Sequence, residues 1–330
     1  MNVTILTEKE LRQIVRIDTA AIEAVEYAFA WLSAGKVSMP PIMHIEIPEY
    51  LGDVDIKSAY VQGLDRFAVK IGAGFFNNAT LGLPSSPAMM VVISAKTGMV
   101  QAVLLDNAYL TDVRTAAAGA VAAKYLAPKT ITCAGVVGAG AQGRYQIMAL
   151  KQVRDFERVL VFDRDGDLAD NYAAQMSQEL QLPVSVAPDV ETLVTQSQAV
   201  ITCTPAKNPF IDPAFLHPGL HITAMGADLP EKRELMPGVL PKADIVACDV
   251  RSQTFTVGEL YNAAQDNTAV AEPGVLELGQ IISGKANGRQ SRDQITICDL
   301  SGTGVQDTAI ADYAMTRAAE THGIGTQIPM

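Results

Sequence analysis

The run Gly138-Ala139-Gly140-Ala141-Gln142-Gly143 follows the apolar stretch TITCAGVV and precedes the helical pattern RYQIMALKQV. Three glycines at this spacing, between a strand and a helix, leave few folds open. Gly138 permits a tight turn, Gly140 lets the main chain approach a pyrophosphate, and Gly143 lets the helix pack close to its strand. The helix start then offers unpaired N–H groups and a partial positive charge to an anion, so Ala139, Ala141 and Gln142 join the glycines as expected cofactor contacts. A second apolar strand, RVLVF, ends at Asp163, 20 positions past Gly143. An acidic residue there meets the ribose hydroxyls of adenosine, which favours NAD; Arg164 beside it keeps NADP open, because an arginine there can engage a 2′-phosphate. The competing reading is a glycine turn with no ligand.

From Thr111 the chain reads TDVRTAAAGAVAAKYLA, a helix with Thr111 as N-cap and Pro128 just past its end. Short apolar strands then alternate with helices, at 131–137, 158–162, 184–186, 199–202, 221–225, 244–247 and 295–298. That order argues a parallel, doubly wound sheet. The first third reads as α+β. Thr7 and Glu10 form a capping box, and a helix follows from Asp18 to Ala34 with Ile22, Val25, Phe29 and Leu32 on one face. The stretches MHIEIPE, DVDIKSAYV and FAVKIGAG alternate as strands, and PAMMVVISAKTGMVQAVLL is a hairpin turning at Ala95-Lys96-Thr97-Gly98. An antiparallel sheet with flanking helices is the expectation. A last helix, 307–321, follows Gly304.

The 330 residues suffice for two domains, and 48% of them are hydrophobic, enough for a sizeable core. A net charge of −11 repels nucleic acid and anionic lipid, so neither is an expected partner. The start, MNVTILTEKE, carries no secretory signal, and no apolar run is long enough to span a bilayer. Cys133, Cys203, Cys248 and Cys298 each lie in or beside an apolar run read as a buried strand, and no CxxC or Cys/His cluster suggests a metal. Four unpaired thiols fit a reducing cytoplasm.

Several segments, in order, resemble the ornithine cyclodeaminase/μ-crystallin family: FAVKIGAG around Lys70, LTDVRTAAAGAVAAKYLA around Arg114, VVGAGAQGRYQ, HITAMGADLPEKREL around Asp228, and ICDLSGTGVQDTAIA. The resemblance covers essentially the whole chain. It implies a Rossmann-type doubly wound sheet, residues 119–303, inserted in a second α+β domain, 1–118 plus 304–330, that binds substrate and forms a homodimer. Within the family, MPPIMHIEIPE, DVDIKSAYV and AGFFNN…LGLPS are most similar to the ectoine-utilisation branch.

Lys70 sits in an apolar strand, where burial lowers an ammonium's pKa and makes it a proton donor or acceptor near neutrality. The resemblance implies that role; the alternative is an edge lysine in solvent. Arg114 lies one turn into an alanine-rich helix, and Leu110, not an acid, stands four positions ahead. A guanidinium there suits a carboxylate, and the resemblance makes it the holder of the substrate's α-carboxylate; the alternative is a salt bridge across domains. Asp228 follows HITAMG at a strand end and by resemblance is the second catalytic group; the alternative is a turn aspartate. His44 stands where many members carry a second carboxylate-binding arginine, and it introduces a group that titrates near neutrality. Thr204 and Ser301, beyond two later strands, complete the expected cofactor contacts; for Ser301 ordinary turn chemistry is the rival. Phe75, Phe76, Met89 and Met90 line either a substrate pocket or the core.

The leading expectation is an NAD(P)-dependent oxidoreductase that reduces a small α-imino acid or oxidises the amino acid. Two alternatives stand. One is a cyclodeaminase that releases ammonia with NAD used catalytically. The other is a dinucleotide-binding, crystallin-like protein without turnover.

Overall fold

The computed structural model describes residues 2–268 and 274–329, apart from the side chains of Phe76 and Ala79. The chain divides into two compact units, Met1–Arg114 with Thr303–Met330, and Thr115–Gly302.

The chain begins with strand β1 (Asn2–Thr7), helices α1 (Glu8–Ile14) and α2 (Thr19–Ser33), and strands β2 (Val37–Ser38), β3 (Met43–Ile47), β4 (Gly52–Val61), β5 (Arg66–Phe75), β6 (Ala88–Ser94) and β7 (Val100–Leu105). Helix α3 (Tyr109–Leu126) follows and contains the unit boundary. The second unit continues with β8 (Cys133–Val137), α4 (Ala141–Val153), β9 (Arg158–Phe162), α5 (Gly166–Leu180), β10 (Val184–Val186), α6 (Val190–Gln196), β11 (Ala199–Thr202) and β12 (His221–Ala224). Then come β13 (Ile245–Cys248), α7 (Arg251–Thr254), α8 (Glu259–Gln265), β14 (Leu276–Glu277), α9 (Leu278–Ile282) and β15 (Thr296–Asp299). The chain returns to the first unit with α10 (Gly304–Glu320) and β16 (Thr326–Pro329).

In the first unit the strands run β16-β1-β7-β6-β5-β4-β2, with β3 also on β4. The expected antiparallel sheet is mixed, because β1 pairs with β7 in parallel. A parallel neighbour needs a crossover rather than a hairpin, and everything between β1 and β7 supplies it. On the face that carries Lys57 and Lys70, α10 packs against β4, β5 and α2, around Ala28, Ala59, Val61, Val305 and Ala309. Contact is close: a Cβ at Gly304 would stand 2.5 Å from the Ser58 carbonyl oxygen. Thr308 Oγ1 donates to the Ala59 carbonyl at 2.7 Å and accepts from Ala68 N–H at 3.0 Å.

Two helix starts differ from the sequence expectation. Helix α10 begins at Gly304, so Asp307 lies in its first turn; Thr303 caps it, with Thr303 N–H donating to Gln306 Oε1 at 2.9 Å. Helix α3 begins at Tyr109, ahead of Thr111. Asp106, at the end of β7, supplies the cap: its carbonyl accepts from Tyr109 N–H and its Oδ2 from Leu110 N–H, both at 2.9 Å. Asn107 (φ 48°) and Ala108 (φ 69°) take left-handed backbone to make this turn, a conformation no local pattern advertised.

The second unit is a parallel sheet in the order β10-β9-β8-β11-β12-β15-β13-β14. From β8 the chain winds out through β9 and β10, then returns to β11 on the other side. That reversal opens a crevice at the carboxyl ends of β8 and β11, where such folds bind ligands. Both faces of the sheet are covered, and its strands are near-continuous apolar runs for that reason. Cys133, Cys248 and Cys298 are buried in β8, β13 and β15, whereas Cys203 lies just past β11 and is only half-buried. No helix among the described residues is long and apolar enough to cross a membrane.

Candidate active site

In the second unit the glycine loop joins β8 to α4. Gly138 has φ +110°, which any side chain would strain, and its N–H donates to the Phe162 carbonyl at 2.9 Å. A Cβ at Gly143 would stand 2.1 Å from the Gly138 carbonyl oxygen, so only glycine lets α4 close on the loop. Gly140 is different. As N-cap of α4 its backbone is extended, and a Cβ there would meet no atom of the chain within 4 Å. Neither strain nor packing demands a glycine, and the open space in front of it fits a ligand group pressed against the main chain. Helix α4 begins with no side-chain cap, which leaves its first N–H groups for that ligand. Asp163, at the end of β9, accepts from Ala139 N–H at 2.8 Å and Asp165 N–H at 3.0 Å, so its carboxylate also braces the loop. Arg164 beside it is exposed. These residues fit a dinucleotide with its pyrophosphate at the loop and its adenosine toward Asp163.

In the first unit a second constellation is buried. Lys70 on β5 is 4% exposed, Arg114 on α3 is 5%, and Asp307 on α10 is fully buried. One carboxylate serves both cations: Asp307 Oδ2 is 3.2 Å from Lys70 Nζ, and Oδ1 is 3.0 Å from Arg114 Nε. Arg114 Nη1 also donates to Gln306 Oε1 at 3.1 Å. The expected alternative for Arg114, a salt bridge across domains, is replaced by this pairing within one unit. Burial pulls the Lys70 ammonium down to about 7, the Asp307 charge opposes that, and the Arg114 and Lys57 charges reinforce it. Burial pushes the Asp307 carboxyl up, but the charges of Lys70, Arg114 and Lys57 outweigh this and hold it below the usual range. Lys57, also buried, stands opposite Lys70 in register, and Met90 flanks Lys70 on β6. Next along that face come Gly72 and Ala88, paired across β5 and β6, which keep the sheet surface low beside the Lys70 amine. Asp106, fully buried, has its carboxyl pushed up by burial to about 6, against the Leu110 N–H that favours its charge. Among the described residues its second oxygen has no hydrogen-bond partner.

His44 lies on the Lys70 face of the same sheet, but its ring is engaged: Nδ1 is 2.7 Å from Asp55 Oδ1, which raises its pKa. Asp228, in the second unit, is exposed two residues past Gly226, and its Oδ1 accepts from Lys232 Nζ at 2.6 Å. Thr204 donates both its N–H and its hydroxyl to Glu234 Oε1, each at 2.7 Å. Ser301 is buried; its N–H donates to Asp249 at 3.0 Å and its hydroxyl lies 3.1 Å from the same carboxylate. Met90 is buried beside Lys70, Met89 faces the opposite side of the sheet, and the ring of Phe75 lies over Gly52. The Phe76 side chain lies outside the described residues. Sequence reasoning missed Asp307, Lys57, Asp106 and Glu234. For Asp307 a signal existed, a lone acid in the otherwise uncharged helix start GVQDTAIA.

A cavity of about 670 Å³ opens near the amino ends of the second unit's strands and is lined by Lys124, Lys129, Arg154, Arg289 and Arg292. Arg154 and Arg289 spend their donors there on carbonyls at the end of α3, including Lys124, Leu126 and Ala127, so they act as helix fasteners.

Fold and loop together define a dinucleotide-binding α/β protein with a second, α+β unit. A family model for the ornithine cyclodeaminase/mu-crystallin family matches residues 1–322, and the chain belongs to that family. It is 48% identical to a Rhizobium meliloti protein named as a dehydrogenase, over 95% of both chains. It is 45% identical to a Sinorhizobium fredii protein named as an uncharacterized cyclodeaminase, over 96% of both. It is 30% identical to the iminosuccinate reductase of Paracoccus denitrificans, over 98% of this chain and 99% of that one. Among solved structures, the Δ1-pyrroline-2-carboxylate reductase of Thermococcus litoralis, in complex with NADH and L-proline, superposes with a TM-score of 0.93 at 28% identity, covering 99% of this chain and 100% of that one. An archaeal alanine dehydrogenase dimer with bound NAD gives 0.92 at 32% identity, covering all of both chains.

Proposed function

We propose that this chain is an NAD-dependent oxidoreductase that reduces a small α-imino acid, or in reverse oxidises the amino acid. The observation that carries the reading is the buried set of Lys70 and Arg114 on one carboxylate, Asp307. Two cations share one anion, so the set has charge left for a substrate carboxylate. Arg114 holds that carboxylate, fixed by Asp307 and Gln306. Lys70, near half-protonated at neutral pH, delivers a proton to the substrate nitrogen or takes it back. Asp228 is the second proton-handling group. His44, tied to Asp55, borders the substrate rather than replacing an arginine. The dinucleotide, when bound, carries the hydride.

NAD in place of NADP is supported by the Asp163 carboxylate at the end of β9 and by the NAD or NADH bound in the solved relatives. The named activities of those relatives, on proline-type, alanine and iminosuccinate substrates, support a small imino or amino acid. Four free cysteines support a cytoplasmic setting. The likeness of MPPIMHIEIPE and DVDIKSAYV to the ectoine-utilisation branch adds the amino and imino acids of ectoine breakdown to the substrates worth trying.

The test is a panel of imino and amino acids, followed by NADH absorbance beside an ammonia assay. Net NADH consumption with an imino acid is the expected result. Ammonia release without net NADH change would replace this reading with the cyclodeaminase, which the 45% identity to the Sinorhizobium fredii protein keeps as second choice. No turnover with any substrate, but tight NAD binding, would leave the non-catalytic reading.

A further inference from the structure

We propose that the buried carboxylate of Glu234 is a positioning residue for the nicotinamide half of the cofactor, holding two crevice loops together and favouring the oxidised, positively charged ring. The inference rests on the proposed dinucleotide reading. It starts from one side chain with four donors. Glu234 is fully buried, and its Oε2 accepts from Thr202 Oγ1 at 2.6 Å and Gly226 N–H at 3.0 Å. Its Oε1 accepts from Thr204 N–H and Thr204 Oγ1, both at 2.7 Å. Thr202 ends β11, Thr204 lies two residues past its end, and Gly226 lies two residues past the end of β12. One carboxylate therefore ties together the carboxyl ends of two neighbouring parallel strands. Gly226 shows how tightly: a Cβ there would stand 2.3 Å from the Thr204 carbonyl oxygen and 2.5 Å from Glu234 Cδ.

The topology says which half of the cofactor these loops serve. With the glycine loop after β8 taking the pyrophosphate and Asp163 after β9 taking the adenosine side, the other arm runs over β11 and β12. The N–H groups of Thr204 and Gly226 cannot reverse their donation, so the acceptor they meet is best served by an ionised carboxylate. A second buried acid, Glu259, receives Glu234 N–H at 2.6 Å and Leu235 N–H at 3.2 Å, and burial, then the Glu234 charge, pushes it up to about 8, so it holds a proton at neutral pH. Burial raises the Glu234 carboxyl as well, but its donors from Thr202, Thr204 and Gly226 oppose that, and four donors on Glu234 against two on Glu259 favour the pair's charge on Glu234, directly behind two loops of the crevice. The nicotinamide ring of NAD carries one more positive charge than that of NADH. A fixed carboxylate behind it favours the oxidised form.

The experiment measures Kd for NADH by fluorescence and for NAD by displacement, in wild type, Glu234→Gln and Thr202→Val. Glu234→Gln keeps the size and removes the charge; its NH2 group faces the N–H of Gly226 or Thr204, a loss that falls on both cofactor forms, so the NAD/NADH ratio reads the charge. It should weaken NAD relative to NADH by roughly five- to tenfold, the size of one unit charge acting through a partly screened interior. Thr202→Val removes one donor, which raises the Glu234 carboxyl further and leaves it protonated more of the time, so the ratio should move the same way by less. If Glu234→Gln does not fold, Thr202→Val decides alone. Folded variants with the wild-type ratio, or with a shift toward tighter NAD, overturn the proposal. If the wild type binds neither form, the dinucleotide reading fails, and this inference with it.

Discussion

Asp307 is the main charge that opposes burial at Lys70, with its Oδ2 3.2 Å from the Lys70 ammonium. Removing it has a calculable direction. With that carboxylate gone, burial and the Arg114 and Lys57 charges act on Lys70 against the Asp106 charge alone, and its pKa falls below about 7. In the reductive direction the protonated lysine is the donor, so wild-type kcat/KM should decline as pH rises through about 7. The oxidative direction should show the opposite slope. In Asp307→Asn the reductive inflection should move to lower pH, read from kcat/KM against pH. An inflection that stays in place would mean that Lys70 is not the titrating group. The same change leaves a buried guanidinium without its anion, a loss of about 3–5 kcal/mol, measurable by urea unfolding. Lys70 itself was legible in the sequence, as a lysine in an apolar strand. Its partner was not, because Asp307 lies 237 positions away in sequence, on a helix that packs back over β5.

The glycine loop is the element whose local pattern and tertiary setting agree most closely. Gly143 is required by the 2.1 Å approach to the Gly138 carbonyl, so Gly143→Ala should force α4 off the loop. The expected outcome is at least a tenfold weaker Kd for NADH, measured by fluorescence, with far-UV circular dichroism unchanged. Retained affinity would show that the helix start contributes little to binding. Gly140→Ala makes a sharper comparison, because no atom of the protein stands in its way. It should fold as the wild type does and lose affinity only through the ligand. Helix starts elsewhere were less legible. Thr111 looked like the cap of α3 because threonine caps often, yet Asp106 holds that end from the first residue after β7. A cap that depends on two left-handed residues, Asn107 and Ala108, carries no sequence signature.

For the whole molecule, the unexplained surface is the face of β3–β5 opposite Lys70. Met43 and Ile45 are 58% and 46% exposed there, and Ile71 is 36% exposed. Their alternation with His44 and Lys70 puts them together on one side of the sheet. Apolar side chains in such a group fit an interface between two copies of the chain. The protein should sediment as a homodimer, and Ile45→Glu should shift it toward monomer by placing a charge in that surface. A wild type that sediments as a monomer at micromolar concentration would exclude the arrangement. The net charge of −11 is spread over this same molecule, so local cations such as Lys70 and Arg114 matter more for an anionic substrate than any long-range field.

Periodicity and glycine spacing were enough to read a parallel doubly wound sheet, the loop at its first strand, and seven of its strands, because those features depend on neighbours a few positions apart; β1, β2, β14 and β16 were not read. The parallel pairing of β1 with β7, the Asp307 bridge, the Asp106 cap and the four donors around Glu234 depended on segments that meet only when the chain is folded. Charge networks of that kind are decided by burial and by partners far away in sequence, and neither quantity is written in the local order of residues.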